Sequence, residues 1–445
     1  MCPLLRLLRD KQHRLFHSRP RLVITGEFRQ AFDAMENSNR CVYVTGKAGT
    51  GKSTLLTWFR QQTKKRLVIL APTGIAALNV DGATIHSFFR LPPSVVEPNH
   101  IRRDPERAPL YQRLDTIVID EISMVRADVM DAIDQTLRLH RNNDTPFGGV
   151  QIIFFGDLYQ LLPAVTRELD GYFHSRFGGA CFFNARVFDR LQLHYFQLQT
   201  IFRQKDETFK QLLNAVRENT VTDEQLALLN TRHLPGHVLP PGDLRLTLTT
   251  TNKVADAING ERMNGLRGKA HRFTATVGGN ADLDKGPADA VLILKKHAQV
   301  MLLKNDPDKR WVNGTLGHVT RIGRDKITVR IGKHRYDIER AEWEVRDYRY
   351  NPQKQTIEPG TAGTFTQFPL RAAWAMTIHK SQGRTFDQVI IDLGPGAFTH
   401  GQTYVALSRC TQLAGIVLQT PIRREDLILD PGVKQFIAAH TKPAA

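Results

Sequence analysis

The stretch GKAGTGKS at residues 46–53 decides the fold of this chain. It matches the pattern G-x-x-x-x-G-K-[ST], in which a glycine-rich loop wraps its backbone N–H groups around phosphates. The apolar run 41–45 before it predicts a buried strand, and the apolar spacing over 53–62 predicts a helix. The N-terminus of that helix adds partial positive charge to the loop. We therefore predict an α/β protein that binds a nucleoside triphosphate.

Residue types within the loop assign roles to individual side chains. Lys52 is expected to reach the β- and γ-phosphates, and the Ser53 hydroxyl is expected to bind Mg²⁺. The other candidate contacts to the nucleotide are small or hydroxyl-bearing residues of the loop and the first helical turn, namely Gly46, Gly49, Thr50, Gly51 and Thr54. A chance loop would rarely carry the full pattern between a strand and a helix, so a purely structural role is disfavoured.

Two further segments place polar groups at the ends of apolar strands. TIVIDE at 116–121 ends in Asp120, which could hold Mg²⁺ through water, and Glu121, which could deprotonate the attacking water. An acidic pair in this position is more often a helix cap or a solvated corner, but its place downstream of the phosphate loop favours catalysis. GDLYQ at 156–160 ends in Gln160, which is a candidate sensor of the γ-phosphate or else part of a capped loop.

Apolar runs alternate with helical patterns in two consecutive sets, which predicts two parallel sheets covered by helices. The first set has strands at 41–45, 67–70, 116–119 and 151–155, and helices at 53–62 and 127–139. The second begins near residue 191 and has strands at 244–250, 388–393 and 415–420, and helices at 252–259 and 403–410. We expect one domain over 21–190 and another over 191–310 and 369–430.

Four segments fall outside this alternation. Short strand patterns with glycine-containing turns over 311–368 predict a small antiparallel barrel inserted into the second domain. Prolines punctuate the basic segment 89–114, which suggests a small inserted arm in the first domain. The basic, leucine-rich segment 1–20 is expected to be disordered, with an organelle presequence as the alternative, and 431–445 is expected to be a C-terminal tail.

The amino-acid composition indicates which kind of binding partner is expected. The chain has 445 residues and a formal charge of +17, from 61 Lys and Arg against 44 Asp and Glu. Such an excess favours a polyanion, because each cation laid on a phosphate releases a counterion; a merely basic surface is the alternative. The 4 cysteines lie far apart, which fits a reducing compartment and neither a zinc site nor a disulfide framework. No run reaches the ~18 apolar residues of a membrane span.

A series of motif blocks then appears in a fixed order along the chain. After the phosphate loop come APTGIAA (71–77), TIHSF (84–88), DEISM (120–124), GDLYQ (156–160), FRQ (202–204), TTTN (249–252), VNGTLG (312–317), TIHKSQG (377–383) and YVALSR (404–409). In this order the blocks resemble those of superfamily one DNA helicases, and specifically the Pif-one/RecD-like branch. One block would be weak support, but so many in sequence leave little room for chance.

The resemblance implies two tandem RecA-like motor domains with a small arm and an SH3-like β-barrel as insertions. It implies that ATP and Mg²⁺ bind between the domains. Charge on the γ-phosphoryl group in the transition state needs cations beyond Lys52 and Mg²⁺, and Arg203 and Arg409 are the candidates. A surface salt bridge is the alternative role for Arg203. Gln382 and Gly383 are expected to contact the nucleotide.

The resemblance also implies movement 5′ to 3′ along single-stranded DNA. The candidate strand contacts are polar, cationic or aromatic residues of the shared blocks, namely Thr73, His86, Ser87, Phe88, Thr251, Asn252, His379, Lys380 and Ser381. Interior positions are the alternative for His86 and Phe88. The expected partners are single-stranded DNA and 5′-tailed duplex or structured DNA, with a single-stranded DNA-binding protein as an additional partner. A monomer in the nucleoid is expected, or in mitochondria if 1–20 is a presequence.

One departure from the pattern concerns the base of ATP. Many relatives carry an adenine-contacting Gln before the first strand, and Phe28 stands at that position here. We therefore expect loose nucleotide selectivity. Three other functions are compatible with a phosphate loop of this kind: an oligomeric remodelling ATPase, a binding module with a decayed ATPase, and a translocase or nucleic-acid-stimulated ATPase that does not unwind processively. The second α/β unit and the intact motif residues disfavour the first two, and the third stays open.

Overall fold

Two parallel sheets frame the molecule, and the computed structural model describes residues 24–202, 206–236, 244–283 and 286–441. The helices are α1 (Gly26–Glu36), α2 (Lys52–Gln62), α3 (Gly74–Asn79), α4 (Ile85–Phe89), α5 (Ala108–Arg113), α6 (Ala127–Arg141), α7 (Arg167–Phe177), α8 (Glu207–Glu218), α9 (Asp223–Asn230), α10 (Asn252–Gly265), α11 (Gln402–Ser408) and α12 (Pro431–Thr441). The segment 1–20 and Arg203, for both of which the sequence made predictions, lie outside the described residues.

The strands alternate with these helices in each half of the chain. They are β1 (Cys41–Gly46), β2 (Leu67–Ala71), β3 (Ala83–Thr84), β4 (Thr116–Ile119), β5 (Gln151–Phe155), β6 (Leu193–Leu198), β7 (Leu246–Thr249), β8 (His271–Thr274), β9 (Thr276–Gly279), β10 (Val291–Leu294), β11 (Gln299–Leu302), β12 (Leu316–Ile322), β13 (Lys326–Ile331), β14 (His334–Glu339), β15 (Ala341–Asn351), β16 (Thr356–Gln367), β17 (Leu370–Ala372), β18 (Ala375–Thr377), β19 (Val389–Asp392) and β20 (Ile416–Leu418).

The first sheet has the order β3-β2-β4-β5-β1-β6, and its strand pairs are parallel. β1, β4 and β5 are buried along their whole length because helices cover both faces. The four predicted strands are confirmed. The predicted boundary at residue 190 is wrong, because β6 continues this sheet and pairs with β1 from Cys41↔Leu193 to Gly46↔Leu198. In keeping with the resemblance described above, we call this unit the first motor domain.

The second sheet has the order β18-β7-β19-β20, again with parallel pairs. Its predicted strands and the helices α10 and α11 are confirmed, while β18 was not foreseen. Apolar side chains from α8, α11 and the strands form its core, including Phe209, Leu248 and Val405. We call this unit the second motor domain.

Antiparallel strands interrupt the second motor domain between β7 and β18. β12, β13 and β14 lie where strands were predicted, but the strand-rich insertion begins at β8, well before the predicted boundary at 311. The long hairpin of β15 and β16 packs on the first motor domain, and its Tyr348 hydroxyl accepts a hydrogen bond of 3.2 Å from the Ile69 amide. Tyr348 is buried in the core of that domain. The insertion therefore bridges the two motor domains.

The segment 89–114 is exposed at many positions, including Arg90 and Pro93, but part of it packs into the protein. Leu91, Leu110 and Tyr111 are buried in the first motor domain. Arg107 forms a two-pronged ion pair with Asp347 of β15, at 2.7 and 3.0 Å, and both side chains are almost fully buried. This segment therefore forms part of the surface on which the β15–β16 hairpin packs.

The predicted C-terminal tail is wrong, because α12 is a helix docked on the first motor domain. Its Phe436 ring stacks on Phe183 at a centroid distance of 4.6 Å, and Val433 is fully buried in the same cluster. The chain thus returns from the second domain to the first. Within the described ranges, no helix combines the length and the apolar character needed to cross a bilayer.

Candidate functional site

The phosphate loop connects β1 to α2 with a backbone that only glycine accommodates at key positions. Gly49 and Gly51 have φ of 86° and 84°, in the left-handed region. A Cβ on Gly46 would lie 2.5 Å from Thr50 Oγ1 and 2.9 Å from the carbonyl oxygen of Leu198. The loop therefore presents bare backbone at the N-terminus of an 11-residue helix, which is the arrangement that binds phosphate.

Lys52 lies at the mouth of this loop. Its Nζ donates to the carbonyl oxygens of Gly46 at 2.7 Å and Lys47 at 3.3 Å. Burial lowers the pKa of Lys52, while the carboxylates of Asp157 and Glu121 act in the opposite direction. A partly desolvated cation against a phosphate-binding backbone suits the β- and γ-phosphates of a nucleotide.

The two acids at the end of β4 face the same cleft. Burial, and then the neighbouring Glu121, raise the pKa of Asp120 to about 7. Glu121 has φ 50° and ψ 44°, a left-handed conformation that costs a non-glycine residue about 1–3 kcal/mol and is concentrated at functional sites. A divalent cation would favour the charged form of Asp120. With the exposed Ser53 at the start of α2, the pair supplies the oxygen ligands that Mg²⁺ prefers.

A polar network crosses from the cleft to the second motor domain. Asp157, just beyond β5, is fully buried, and its Oδ1 accepts from Arg217 Nη2 at 3.1 Å. Its Oδ2 accepts from the Tyr404 hydroxyl at 3.3 Å. Tyr404 Oη in turn accepts from the Ala48 amide in the phosphate loop at 3.1 Å. The two domains therefore meet directly at the nucleotide cleft.

Sequence reasoning missed Arg217 and gave no role to Tyr404. The signal for Arg217 is its place on α8, four residues after Leu213 and eight after Phe209, both of which are buried. A charged residue on the apolar face of an amphipathic helix needs a buried partner. Its partner comes from the other motor domain, so the helix alone could not reveal the pair.

Arg409 follows α11 immediately and is 1 % exposed. Its Nε donates to the carbonyl oxygen of Val405 at 3.0 Å, and its Nη2 donates to Ser408 Oγ at 2.8 Å. It lies about one turn beyond Tyr404, the residue of α11 that contacts the phosphate loop. The second predicted arginine, Arg203, lies outside the described residues, so its role remains a prediction.

Gln160 belongs to the first motor domain and Gln382 to the second. Gln160 is buried, its amide donates to the Asp157 carbonyl at 2.9 Å, and its backbone packs against Gly401 at the start of α11. The side-chain nitrogen and oxygen of Gln382 are buried and have no hydrogen-bond partner among the described residues. Gln382 can therefore accept a ligand.

Several predicted strand contacts line a groove of about 750 Å³. Thr73, His86 and Ser87 form one wall, on the first motor domain, while Trp343 and Arg346 of the insertion form part of the other. Thr73 and Ser87 are exposed, although the Thr73 hydroxyl also caps α3 by accepting from the Ala76 amide. The groove brings three of the predicted contacts together.

The remaining strand candidates divide into accessible and inaccessible residues. Asn252 and Lys380 are exposed, and Thr251 and His379 are partly exposed. These four do not line the groove. Burial lowers the pKa of His379.

Two predicted strand contacts are wrong. Phe88 is fully buried, with its ring edge against Phe89 at 4.9 Å and Tyr111 at 5.7 Å, because the apolar face of α4 closes the domain core. Ser381 is also fully buried, and its hydroxyl donates to the Ile378 carbonyl at 2.7 Å. Neither side chain can reach a strand on the surface.

Comparisons with known proteins agree with this site. The family model described as PIF1-like helicase matches residues 21–226. The chain is 32% identical to the ATP-dependent DNA helicase Pif1 of Bdellovibrio bacteriovorus, over 93% of this chain and 92% of that protein. It is 35% identical to the human ATP-dependent DNA helicase PIF1, over 84% of this chain but 57% of that protein.

Solved structures give the same answer. Unliganded Pif1 from Bacteroides sp. matches with a TM-score of 0.85 at 35% identity, over 95% of this chain and 98% of that one. The same protein with ADP-AlF4 matches with a TM-score of 0.86, over 94% and 97%. Its complex with single-stranded DNA has a TM-score of 0.70 at 36% identity, over 94% and 97%, so the present arrangement is closer to the structures without DNA. On its cleft, its two sheets and these matches, the chain belongs to the PIF1-like helicase family.

Proposed function

We propose that this chain is an ATP-dependent DNA helicase that moves 5′ to 3′ along single-stranded DNA and unwinds duplex. The observation that carries the proposal is the contact between Ala48 of the phosphate loop and Tyr404 of the second motor domain. A nucleotide bound at this loop lies at the junction of two domains, so its binding and hydrolysis can move one against the other. The DNA substrate follows from the family, and the polarity rests on the resemblance.

The residues of the cleft divide the chemistry among them. Ser53 and Asp120 would hold Mg²⁺, which neutralises phosphate charge when bound. Lys52 binds the β- and γ-phosphates, and Glu121 orients and deprotonates the attacking water. Arg409, together with Arg203, supplies positive charge for the transition state, and Gln160 senses the γ-phosphate.

The strand is gripped on both motor domains. Thr73, His86 and Ser87 contact it on the first domain, and Lys380 and His379 contact it on the second. Closure around the nucleotide shortens the distance between the two grips, and opening after hydrolysis restores it, so each cycle advances the chain along the strand. The formal charge of +17 favours this partner electrostatically.

Unwinding of 5′-tailed, 3′-tailed and blunt duplexes with ATP and Mg²⁺ tests the proposal. Product from the 5′-tailed duplex alone is expected. Product from the 3′-tailed duplex alone would contradict the polarity. ATP hydrolysis stimulated by single strands, with no duplex opened, would favour the second candidate, a translocase that does not unwind; the intact cleft supports that candidate equally.

The proposed setting follows from the same partner. The chain acts as a monomer on DNA in the nucleoid, on 5′-tailed or structured substrates, next to a single-stranded DNA-binding protein. A mitochondrial setting would follow instead if the segment 1–20 were cleaved as a presequence. Sedimentation with and without an oligonucleotide measures the oligomeric state directly.

A further inference from the structure

A buried ion pair links the two motor domains at the nucleotide cleft. Arg217 of α8 and Asp157 beyond β5 have side chains only 2% and 0% exposed, and Nη2 and Oδ1 are 3.1 Å apart. Removing two charges from water is costly, and a protein with two apolar side chains in place of such a pair is often equally stable. A contribution to the stability of the fold therefore does not explain well why this ion pair is buried here.

The surroundings of the pair point to a positional role. Asp157 uses one carboxylate oxygen for Arg217 and the other for the Tyr404 hydroxyl, which also holds the Ala48 amide. The Arg217 guanidinium lies 3.7 Å from the ring centre of Tyr159, which restricts it on a second side. Asp157 is thus fixed between two residues of the second domain, and one of these touches the phosphate loop.

The electrostatics agree with this geometry. Burial acts to raise the pKa of Asp157, but the cations of Arg217 and Lys52 outweigh it and hold the pKa below its ordinary value. Burial, and then Arg217, lower the pKa of Lys47 in the phosphate loop. The charge of Arg217 therefore acts on the loop across the domain boundary.

We propose that Arg217 is a positioning residue that orients Asp157 and, through it, holds Tyr404 against Ala48, so that the phosphate loop has its reactive shape only when the domains are closed. Arg217 acts through these residues and does not itself bind phosphate. The inference rests on the proposed function, since it assigns the closure of the same cleft to particular side chains.

The test compares Arg217→Met with Tyr404→Phe and with the double variant, measured by single-strand-stimulated ATP turnover. Each single variant is expected to lower kcat by about 10²-fold, which is the cost of a misplacement of about 1 Å at a reacting centre. Equilibrium binding of a fluorescent ATP analogue should change far less. Because both residues act through Asp157, the double variant should be no slower than the worse single variant. Arg217→Lys should recover part of the rate, since it restores a cation.

Arg107→Met is the matched control, because Arg107 also forms a buried pair with an aspartate across a domain contact, Asp347, but away from the cleft. It should lower the melting temperature while ATP turnover stays at the wild-type rate. Multiplicative losses in the double variant, or a normal kcat in folded Arg217→Met, would overturn the inference. If Arg217→Met does not fold, the Tyr404→Phe variant alone tests the inference. An unchanged kcat in Tyr404→Phe would then overturn it. If the wild-type chain hydrolyses ATP but opens no duplex, the helicase proposal is contradicted. The test of Arg217 is still valid in that case, because it measures ATP turnover and not unwinding.

Discussion

The Ala48 amide of the phosphate loop donates a 3.1 Å hydrogen bond to the hydroxyl of Tyr404, a residue more than 350 positions later in the chain. The first belongs to the loop that follows β1, and the second belongs to α11 on the other sheet. A phosphate-binding loop in contact with a second domain can report its occupancy to that domain.

Replacing Lys52 by Ala should abolish ATP turnover, because no other cation contacts the same loop carbonyls among the described residues. Binding of a labelled single-stranded oligonucleotide should stay measurable, since no residue of the phosphate loop lines the groove. Lys64→Ala, at an exposed lysine beyond α2, is the control and should hydrolyse ATP normally. Unaltered hydrolysis in Lys52→Ala would refute the assignment of the loop.

Arg409→Ala should lower kcat by about 10³-fold, which is the usual effect of losing an arginine that stabilises the transition state of phosphoryl transfer. The affinity for ATP should fall much less. Because Arg409 is fully buried, Arg409→Lys is the companion that separates loss of packing from loss of the guanidinium. A change in KM with kcat preserved would remove Arg409 from the transition state.

Phe28 predicts loose nucleotide selectivity. The ring is buried beside the phosphate loop, and its Cζ lies 3.0 Å from where a Cβ on Gly51 would be. A site built to hydrogen-bond its substrate rejects analogues by about 10⁴-fold or more, whereas apolar contact discriminates by about 10²-fold at most. The ratios of kcat/KM for ATP, GTP and CTP should therefore stay within that smaller range. A ratio of about 10⁴ would mean that another residue recognises adenine.

His400 should make the folded protein less stable as the pH falls. Its Nδ1 accepts from the Asp430 amide at 2.9 Å, so Nε2 carries the proton and donates to the Leu158 carbonyl at 2.7 Å. Burial lowers its pKa, against the opposing effects of Leu158 and Asp430. In the unfolded chain His400 therefore takes up a proton near pH 6.5, whereas in the folded chain it does so only at lower pH. Because the unfolded state then binds more protons, the free energy of unfolding decreases as the pH falls below about 6.5.

Urea unfolding of wild type and His400→Gln between about pH 8 and about pH 5.5 measures this effect. The variant should lose less stability over the range than wild type. His318→Gln serves as a comparison, because burial also lowers the pKa of His318 but this residue lies in the insertion. Equal pH dependence in wild type and His400→Gln would contradict the assignment.

Much of the fold could be predicted because its strands are buried on both faces. Such strands are continuous apolar runs in the sequence. The predicted strands 116–119 and 151–155 have the same bounds as β4 and β5 in the structure. β6 escaped prediction because Leu193–Leu198 is an edge strand with half-buried polar residues. The docking of α12 escaped because the aromatic residues that receive Phe436 lie far away in sequence.

The site could be predicted where one short segment supplies both the backbone shape and the reactive group, as at the phosphate loop and at Asp120. Phe88 was assigned to the wrong environment because the TIHSF block contains both accessible and core positions within one turn of helix. No role could be assigned to Arg217 from the sequence, since its role depends on an ion pair with Asp157, which follows a strand of the other sheet. Pairings across domains are properties of the assembled chain.

The docking of α12 has a mechanical consequence. The polypeptide leaves the first motor domain after β6 and comes back to it at α12, where Val433 and Phe436 are embedded. Together with the β15–β16 hairpin, these connections limit how far the second motor domain can move away from the first. We therefore expect ATP hydrolysis at the cleft to rotate the second motor domain against the first rather than to separate the two.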